Sequence, residues 1–249
     1  MQKLIVYYSP TQANQVIVSK LRLLERLGQC EFIGLHQDQE RRVEQLLKIE
    51  GKAAFLWGDG YQHCESYFFT RTGIRLKLNI DAHADCGSDG YVSARSHMAF
   101  TRDNQKIEII TPIKSTEERI RAVNRGLEFA DGEVGVTVDC DVFPGFPAKK
   151  EWILSEGLLL VEAALLIWDL GLRISRVDIG GLVERIPEFD LIRVPIAGNL
   201  PSCAEANYFV NVGNECLGQI PHIRETLDRI GSYVVQIYAG LLEAFARVA

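Results

Sequence analysis

Three polar side chains follow one apolar segment of this 249-residue sequence at alternate positions. The segment Ile74–Ile80 runs directly into the letters DAHAD at residues 81–85. If the backbone is extended there, Asp81, His83 and Asp85 point to the same side. Two carboxylates on one side repel each other unless a cation lies between them, and mixed oxygen and nitrogen ligands suit manganese, iron or zinc. We therefore predict a metal site at this segment. The structural alternative is an exposed polar turn.

Two further apolar segments end in the same kinds of residue. Val134–Val138 leads into Asp139 and Asp141, which share a side if the strand continues; a solvated pair before a Pro-Gly turn is the alternative. Ala53–Trp57 is followed by a glycine-rich turn and His63. A lone histidine is more often structural, but its place after a strand makes it a candidate ligand.

The three segments together predict one site with six ligands. Six ligands are too many for one tetrahedral zinc, but they suit two metal ions about 3.5–4 Å apart that share carboxylates. The predicted ligands are His63, Asp81, His83, Asp85, Asp139 and Asp141.

These side chains can meet only if the strands that precede them lie side by side. Apolar runs alternate with amphipathic stretches, which predicts a single α/β domain over residues 1–249 with a mostly parallel sheet between two helical layers, a three-layer αβα fold. In such sheets, ligands bind beyond the carboxyl ends of the strands. The predicted strands are Lys3–Tyr8, Cys30–Leu35, Ala53–Trp57, Ile74–Ile80, Ile107–Ile110, Val134–Val138 and Ser175–Ile179. The predicted helices are Gln12–Leu27, Arg41–Glu50, Ser66–Arg71, Ser115–Phe129, Ser155–Leu170 and His222–Val248.

Composition narrows the function classes. The net charge of −6 argues against nucleic acid as the main partner, and no apolar stretch reaches the roughly 20 residues that span a bilayer. The opening apolar run is too short for a signal peptide, so we expect a cytoplasmic protein without a membrane partner. None of the six cysteines forms a C-x-x-C pair, and we expect mostly reduced, buried thiols.

The motifs resemble those of the arginase and agmatinase family, the ureohydrolases. Residues 81–85 match the family's Asp-Ala-His-x-Asp motif, and residues 137–141 match the core of its Ser-x-Asp-x-Asp motif. Ser96–Phe100 is similar to a segment whose histidine faces the substrate, and Val183–Asp190 is similar to a Val-Glu-x-x-Pro-x-x-Asp segment. The motifs occur in the family's order.

The resemblance implies an arginase- or deacetylase-like fold and a function. His63 and Asp85 would hold one divalent ion and His83 and Asp141 the other, with Asp81 and Asp139 bridging; manganese is the expected metal, with zinc or iron as alternatives. A bridging hydroxide would attack the central carbon of a guanidino or amidino compound. In this scheme Asp85 accepts a hydrogen bond from the hydroxide, His97 passes a proton to the leaving amine, and Glu184 binds a small cationic substrate.

Two other functions remain open from the sequence. A single-zinc, deacetylase-like amidohydrolase of the same fold would use Asp81, His83 and Asp139, although no adjacent histidine pair is present. A non-catalytic metal-binding or regulatory protein is suggested by departures from the motifs, such as three extra residues before His63. The apolar stripe of the last helix predicts core packing first and a contact between identical chains second.

Overall fold

The described residues form seven strands and five α-helices. The computed structural model describes residues 3–8, 12–36, 39–56, 74, 76–82, 106–110, 115–128, 134–143, 160–170, 174–180 and 223–248. The strands are β1 (Leu4–Tyr8), β2 (Cys30–Gly34), β3 (Ala53–Leu56), β4 (Leu76–Ile80), β5 (Lys106–Ile110), β6 (Val134–Asp139) and β7 (Ile174–Gly180). The helices are α1 (Gln12–Arg26), α2 (Gln39–Leu47), α3 (Thr116–Glu128), α4 (Leu160–Leu170) and α5 (Ile223–Arg247).

All seven strands belong to one sheet, in the order β2-β1-β3-β7-β6-β4-β5. Every pair of neighbouring strands is parallel. The carboxyl ends of all these strands therefore lie at the same edge of the sheet. The predicted parallel sheet is confirmed.

The strand order places helices on both faces of the sheet. The chain moves in one direction along the sheet from β1 to β2, from β5 to β6 and from β6 to β7, and in the other direction from β2 to β3. Because such crossovers are right-handed, α1, α3 and α4 lie on one face and α2 on the other. The packing agrees: Val123 and Ile167 join the large core, whereas Leu46 packs with Ala53 and Phe55 in a smaller one. The three-layer αβα arrangement is confirmed.

Local hydrogen bonds explain where helix α1 ends and where helix α3 begins. Gly28, at φ +74°, follows α1, and the amide groups of Gly28 and Gln29 donate to the carbonyls of Glu25 and Leu24. This is the Schellman arrangement, in which glycine accepts the left-handed conformation without a Cβ clash. Before α3, Ser115 and Glu118 bond each other's main-chain N–H groups, at 3.3 and 2.9 Å. This capping box confirms the helix start predicted at Ser115.

The C-terminal helix is built into the fold rather than lying on its surface. Helix α5 packs against both α1 and α4, and its side chains Tyr238 and Phe245 are fully buried. Lys52, just before β3, donates a hydrogen bond to the carbonyl of Val248 and lies 5.6 Å from the ring centre of Phe245. The core packing predicted for the apolar stripe of this helix is confirmed for the residues whose burial is described.

The predicted elements agree with the described ones to within a few residues at most ends. All seven strands and five of the six helices are found where the apolar patterns placed them. The remaining predicted helix, Ser66–Arg71, lies outside the described residues, as do the first residues of the one predicted from Ser155. Within the described ranges, no helix is both long and apolar enough to cross a membrane.

Candidate metal centre

The strands β4 and β6 are neighbours in the sheet, and the chain leaves them towards opposite sides of the sheet. From β4 the chain continues to β5 on one side, and from β6 it continues to β7 on the other. Such a switch point leaves a crevice beyond the carboxyl ends of the two strands, and this is where open α/β sheets bind their ligands. The sheet topology therefore places a binding crevice at the ends of the two strands that carry the aspartate motifs.

Asp81 and Asp139 lie together at this crevice. Ile80 and Val138 are registered partners on β4 and β6, and neighbouring strands lie about 4.8 Å apart, so the aspartate that follows each of them leaves the sheet at the same edge and at neighbouring positions. Asp81 is fully buried and Asp139 is 4% exposed. Two carboxylates withdrawn from water at one edge need positive charge or hydrogen-bond donors to offset the cost of desolvation.

One such donor comes from the same strand. The side-chain amide of Asn79 donates from Nδ2 to Asp81 Oδ2 at 3.3 Å, and both residues are fully buried. Asp81 directly follows β4, two residues after Asn79, and the hydrogen bond places the two side chains on the same side of the sheet. Leu76, Leu78 and Ile80 lie on the opposite face and join the large core.

Buried polar residues continue down this face of the central strands. We call the set the polar face; it comprises Lys77, Asn79, Asp81, Thr137, Asp139 and Arg176. All six residues are buried. The strand register arranges these residues in rows across the sheet. Lys77 and Arg176 are both paired with Gly135, and Asn79 is paired with Thr137. Asp139 is the last residue of β6, and Asp81 directly follows β4. The polar face thus runs from cations near the middle of the strands to carboxylates at the carboxyl edge.

Most of the polar face was not predicted from the sequence, because the strand segments resemble nearly all-apolar runs. The signal was present in β4, where Leu76, Leu78 and Ile80 alternate with Lys77 and Asn79. An alternation of period two predicts faces of different polarity. Here both faces are buried, so the polar residues need partners inside the protein. Arg176, for example, donates to the main-chain carbonyls of Ile49 and Gly51.

The described backbone leaves the extended conformation where each of the two strands ends. Beyond Ile80 it bends at Asp81 and Ala82, and the shared side predicted for Asp81, His83 and Asp85 depends on positions 83 and 85, which lie outside the described residues. After Asp139 the chain enters a 3-10 turn over Cys140–Val142, so strand alternation does not continue from Asp139 to Asp141. The turn returns the chain to the core because Val142 and the following phenylalanine are buried apolar residues. The shared side of the two aspartates and the assignment of the ligands stay predictions.

The structure describes the side chains of two of the six predicted ligands, Asp81 and Asp139. For Asp141 it describes the backbone alone. Five predicted site residues lie outside the described residues. Three are predicted ligands, His63, His83 and Asp85, and two are predicted to act on the substrate, His97 and Glu184. Over the ranges given above, no group of three histidine, cysteine, aspartate or glutamate side chains converges.

The described donors fit a divalent cation. Asp81 and Asp139 supply carboxylate oxygens, the ligands that manganese and magnesium favour, and both are buried where a cation would remove their mutual repulsion. Cys140, next to Asp139, is buried in the large core. Its membership of that core confirms the expectation of a buried packing residue.

An apolar groove elsewhere on the molecule does not compete for this role. It lies between α4 and α5 and is lined by Val161, Leu165 and Trp168 from α4 with Glu243 from α5. These residues belong to two packed helices and not to the ends of the strands. The groove has one carboxylate and no histidine or cysteine among its lining residues, so we place the chemistry at the polar face instead.

Comparison with known proteins identifies the fold. No protein-family model matches the chain, and no curated protein sequence matches it. Proclavaminate amidino hydrolase from Streptomyces clavuligerus is similar in structure, with a TM-score of 0.53, 15% identity, and coverage of 100% of this chain and 93% of that one. Formimidoylglutamase from Bacillus subtilis gives a TM-score of 0.51 at 14% identity over 89% of each chain. Arginase from Medicago truncatula gives 0.50 at 15% identity, covering 86% of this chain and 87% of its own.

The protein has the arginase fold. This confirms the fold class that the motifs implied, over nearly the whole length of the similar structures. At identities of 14–15% the likeness concerns the fold. In this arginase-like sheet, the two described aspartates lie at the switch point between β4 and β6, which is the place where the fold offers a crevice.

Proposed function

We propose that the protein is a divergent ureohydrolase, a hydrolase that depends on divalent metal and cleaves a carbon–nitrogen bond in a small guanidino or amidino compound. The observation that carries the proposal is the pair of buried carboxylates, Asp81 and Asp139, at the switch point of an arginase-like sheet. Support comes from similar solved structures, which are named as an amidino hydrolase, a formimidoylglutamase and an arginase.

The proposed centre holds two divalent ions, with manganese expected and zinc or iron as alternatives. Asp81 and Asp139 would hold the ions together with His63, His83, Asp85 and Asp141, the rest of the set predicted from the sequence. When bound, such ions lower the pKa of water to near neutrality and stabilise negative charge that develops on the substrate. The chain's own contribution, as described, is to hold two carboxylates in register and to shield them from bulk water.

The remaining residues are proposed to act on the substrate. Hydrolysis adds a hydroxyl group to the central carbon of the substrate and a proton to the leaving nitrogen. His97 is proposed to transfer that proton, while Asp85 orients the attacking water. Glu184 is proposed to bind the planar cation, since a carboxylate matches the two parallel N–H groups of a guanidinium or amidinium.

The first experiment measures metal content and turnover together. Protein purified with manganese is analysed for metal per chain, then assayed for release of urea or ammonia from arginine, agmatine, guanidinobutyrate and formiminoglutamate. We expect about two metal ions per chain and hydrolysis of at least one of these compounds. Asp81→Asn and Asp139→Asn should each lose metal and activity.

Asp228→Asn is the matched control, because it removes the same charge from an exposed position on α5 where Asp228 pairs with Lys20. It should retain metal and turnover. Two metals per chain without turnover would contradict the proposed substrate class but would support the proposed metal centre. About one zinc per chain with deacetylase activity would favour the single-zinc amidohydrolase. Aspartate variants that lose stability alone would indicate a non-catalytic protein.

A further inference from the structure

We propose that Asn79 is a positioning residue that holds the Asp81 carboxylate in the orientation needed for metal binding. The inference rests on the proposed function, since it assigns a supporting role at the same centre. It concerns a residue outside all of the motifs, two positions before the first aspartate. The contact that carries it is the hydrogen bond from Asn79 Nδ2 to Asp81 Oδ2, 3.3 Å long.

Burial makes this contact significant. Neither residue is exposed to solvent, so water does not compete for the carboxylate oxygen or for the amide. On the opposite face of the same strand, Leu76, Leu78 and Ile80 fill the core with apolar side chains. An asparagine in the middle of such a strand is a poor packing residue, because its amide must find partners inside the protein.

The two ends of the amide differ in how well they are satisfied. Nδ2 faces the carboxylate, whereas Oδ1 of Asn79 is buried without a donor among the described residues. Turning the amide over would place Oδ1 against a carboxylate oxygen, and two acceptors repel each other. The Asp81 carboxylate therefore determines which end of the Asn79 amide faces it. The Asn79 side chain keeps its hydrogen bond to Asp81 although its Oδ1 atom has no donor among the described residues.

Position along the strand explains why this residue can act on Asp81. Residues two apart on a strand share a face, so a short side chain at position 79 reaches the carboxylate at 81 without distorting the backbone. The terminal torsion of an aspartate is broad, and a carboxylate without a partner samples many orientations. A donor that holds one oxygen narrows this range before any metal arrives. Partners of this kind typically change metal affinity by about 10–100-fold when they are removed.

The test measures manganese affinity directly. Metal-free protein is titrated with manganese chloride by calorimetry, and its melting temperature is recorded in chelator. Asn79→Leu keeps the size of the side chain and removes the donor, and we expect its dissociation constant to rise about 10–100-fold. Asn79→Gln keeps an amide donor and should recover part of that loss. Asn79→Ala provides a second variant without a donor in case the leucine is poorly accommodated.

Leu78→Ala is the matched control. It lies on the same strand but faces the large core, so it should lower the melting temperature while leaving the manganese affinity unchanged. A purely structural asparagine would behave like this control. If both donor-free variants bind manganese within twofold of the parent, the proposal is wrong.

Asp81→Asn separates this inference from the proposed function. If Asp81→Asn abolishes manganese binding and the donor-free Asn79 variants do not weaken it, the positioning role alone fails. If Asp81→Asn binds as tightly as the parent, or if the parent binds no manganese, the metal centre and the positioning role fail together. Weakened binding in the donor-free variants, with recovery in Asn79→Gln, supports the assignment.

Discussion

Asp81 and Asp139 each follow one member of the registered pair Ile80–Val138 on adjacent parallel strands. The two aspartates thus follow residues that the hydrogen bonds of the sheet hold at equal height, and both are buried. Neighbouring buried carboxylates repel each other, and a bound cation would offset that repulsion. Metal binding and folding stability should therefore be linked at this site.

The first prediction follows from that linkage. Manganese that binds the folded chain and not the unfolded one should raise the melting temperature as its concentration increases. A free concentration of one hundred times the dissociation constant contributes about 2.7 kcal/mol. Thermal melts at increasing manganese, and after chelation, measure the effect. Asp81→Asn should show little dependence on manganese; a variant that is stabilised as strongly as the parent would place the metal elsewhere.

The second prediction concerns the metal-free protein. Asp139→Asn removes one of the two neighbouring charges, so in chelator it should be more stable than the parent, by up to about 3 kcal/mol for two charges about 5 Å apart at an effective dielectric constant of about 20. Asp228→Asn removes an exposed charge that pairs with Lys20 and should change stability by less than about 1 kcal/mol in the destabilising direction. Urea unfolding measures both. A marked loss of stability in Asp139→Asn would show that the chain already compensates the charge.

The third prediction concerns alkaline pH. Burial, with a smaller contribution from the carboxylate of Glu243, raises the pKa of the Cys30 thiol to about 12. In the unfolded chain this thiol loses its proton near its ordinary pKa of about 8.5, so above that pH the unfolded state binds fewer protons than the folded state. The free energy of unfolding should therefore fall as the pH rises from about 9 to 12, by at most about 1.4 kcal/mol per unit from this group.

Urea unfolding of the parent and of Cys30→Ala between pH 7 and about 10.5 isolates the contribution of the thiol. The stability difference between the two proteins should be constant below about pH 8 and should shift against the parent above about pH 9. If the free energy of unfolding depends on pH equally in both proteins, the Cys30 thiol does not cause the loss of stability. The folded thiol should also resist alkylation at neutral pH, because the thiolate is the reactive form.

The fourth prediction tests the start of α3. Ser115→Ala removes a side chain that accepts a hydrogen bond from the Glu118 amide and donates to its carboxylate, at 3.3 and 3.0 Å. We expect a loss of about 1 kcal/mol in the free energy of unfolding. Ser19→Ala is the control, because that hydroxyl bonds Val16 O within its own helix at 2.7 Å and its removal should change stability by less than about 0.5 kcal/mol. Equal losses would show that the cap contributes nothing.

The sequence predicted the strands well because each one is a short run in which apolar residues dominate or alternate with polar ones. Strand β6 was predicted over Val134–Val138 and extends to Asp139. The same pattern could not predict the order of the strands, since no local sequence feature indicates that β7 lies between β3 and β6. That order depends on pairing between segments far apart in the chain.

The candidate site was predicted in part for a similar reason. Residue type and spacing identified Asp81 and Asp139, because carboxylates that follow buried strands need a partner. The 3-10 turn after Asp139 was not predicted, since it depends on Val142 and Phe143 packing into the core. Asn79 was overlooked because its role depends on one contact inside the protein.

The register between β4 and β6 has a consequence for how the protein is made. The two strands are more than fifty residues apart in the sequence, and a slip of one residue would turn one aspartate to the opposite face of the sheet. Pairing over such a separation is a slow step in folding. The acidic pair therefore comes into existence only when the centre of the sheet has assembled. Manganese added during refolding should leave the folding rate unchanged and slow unfolding, so that metal uptake reports the completion of the sheet.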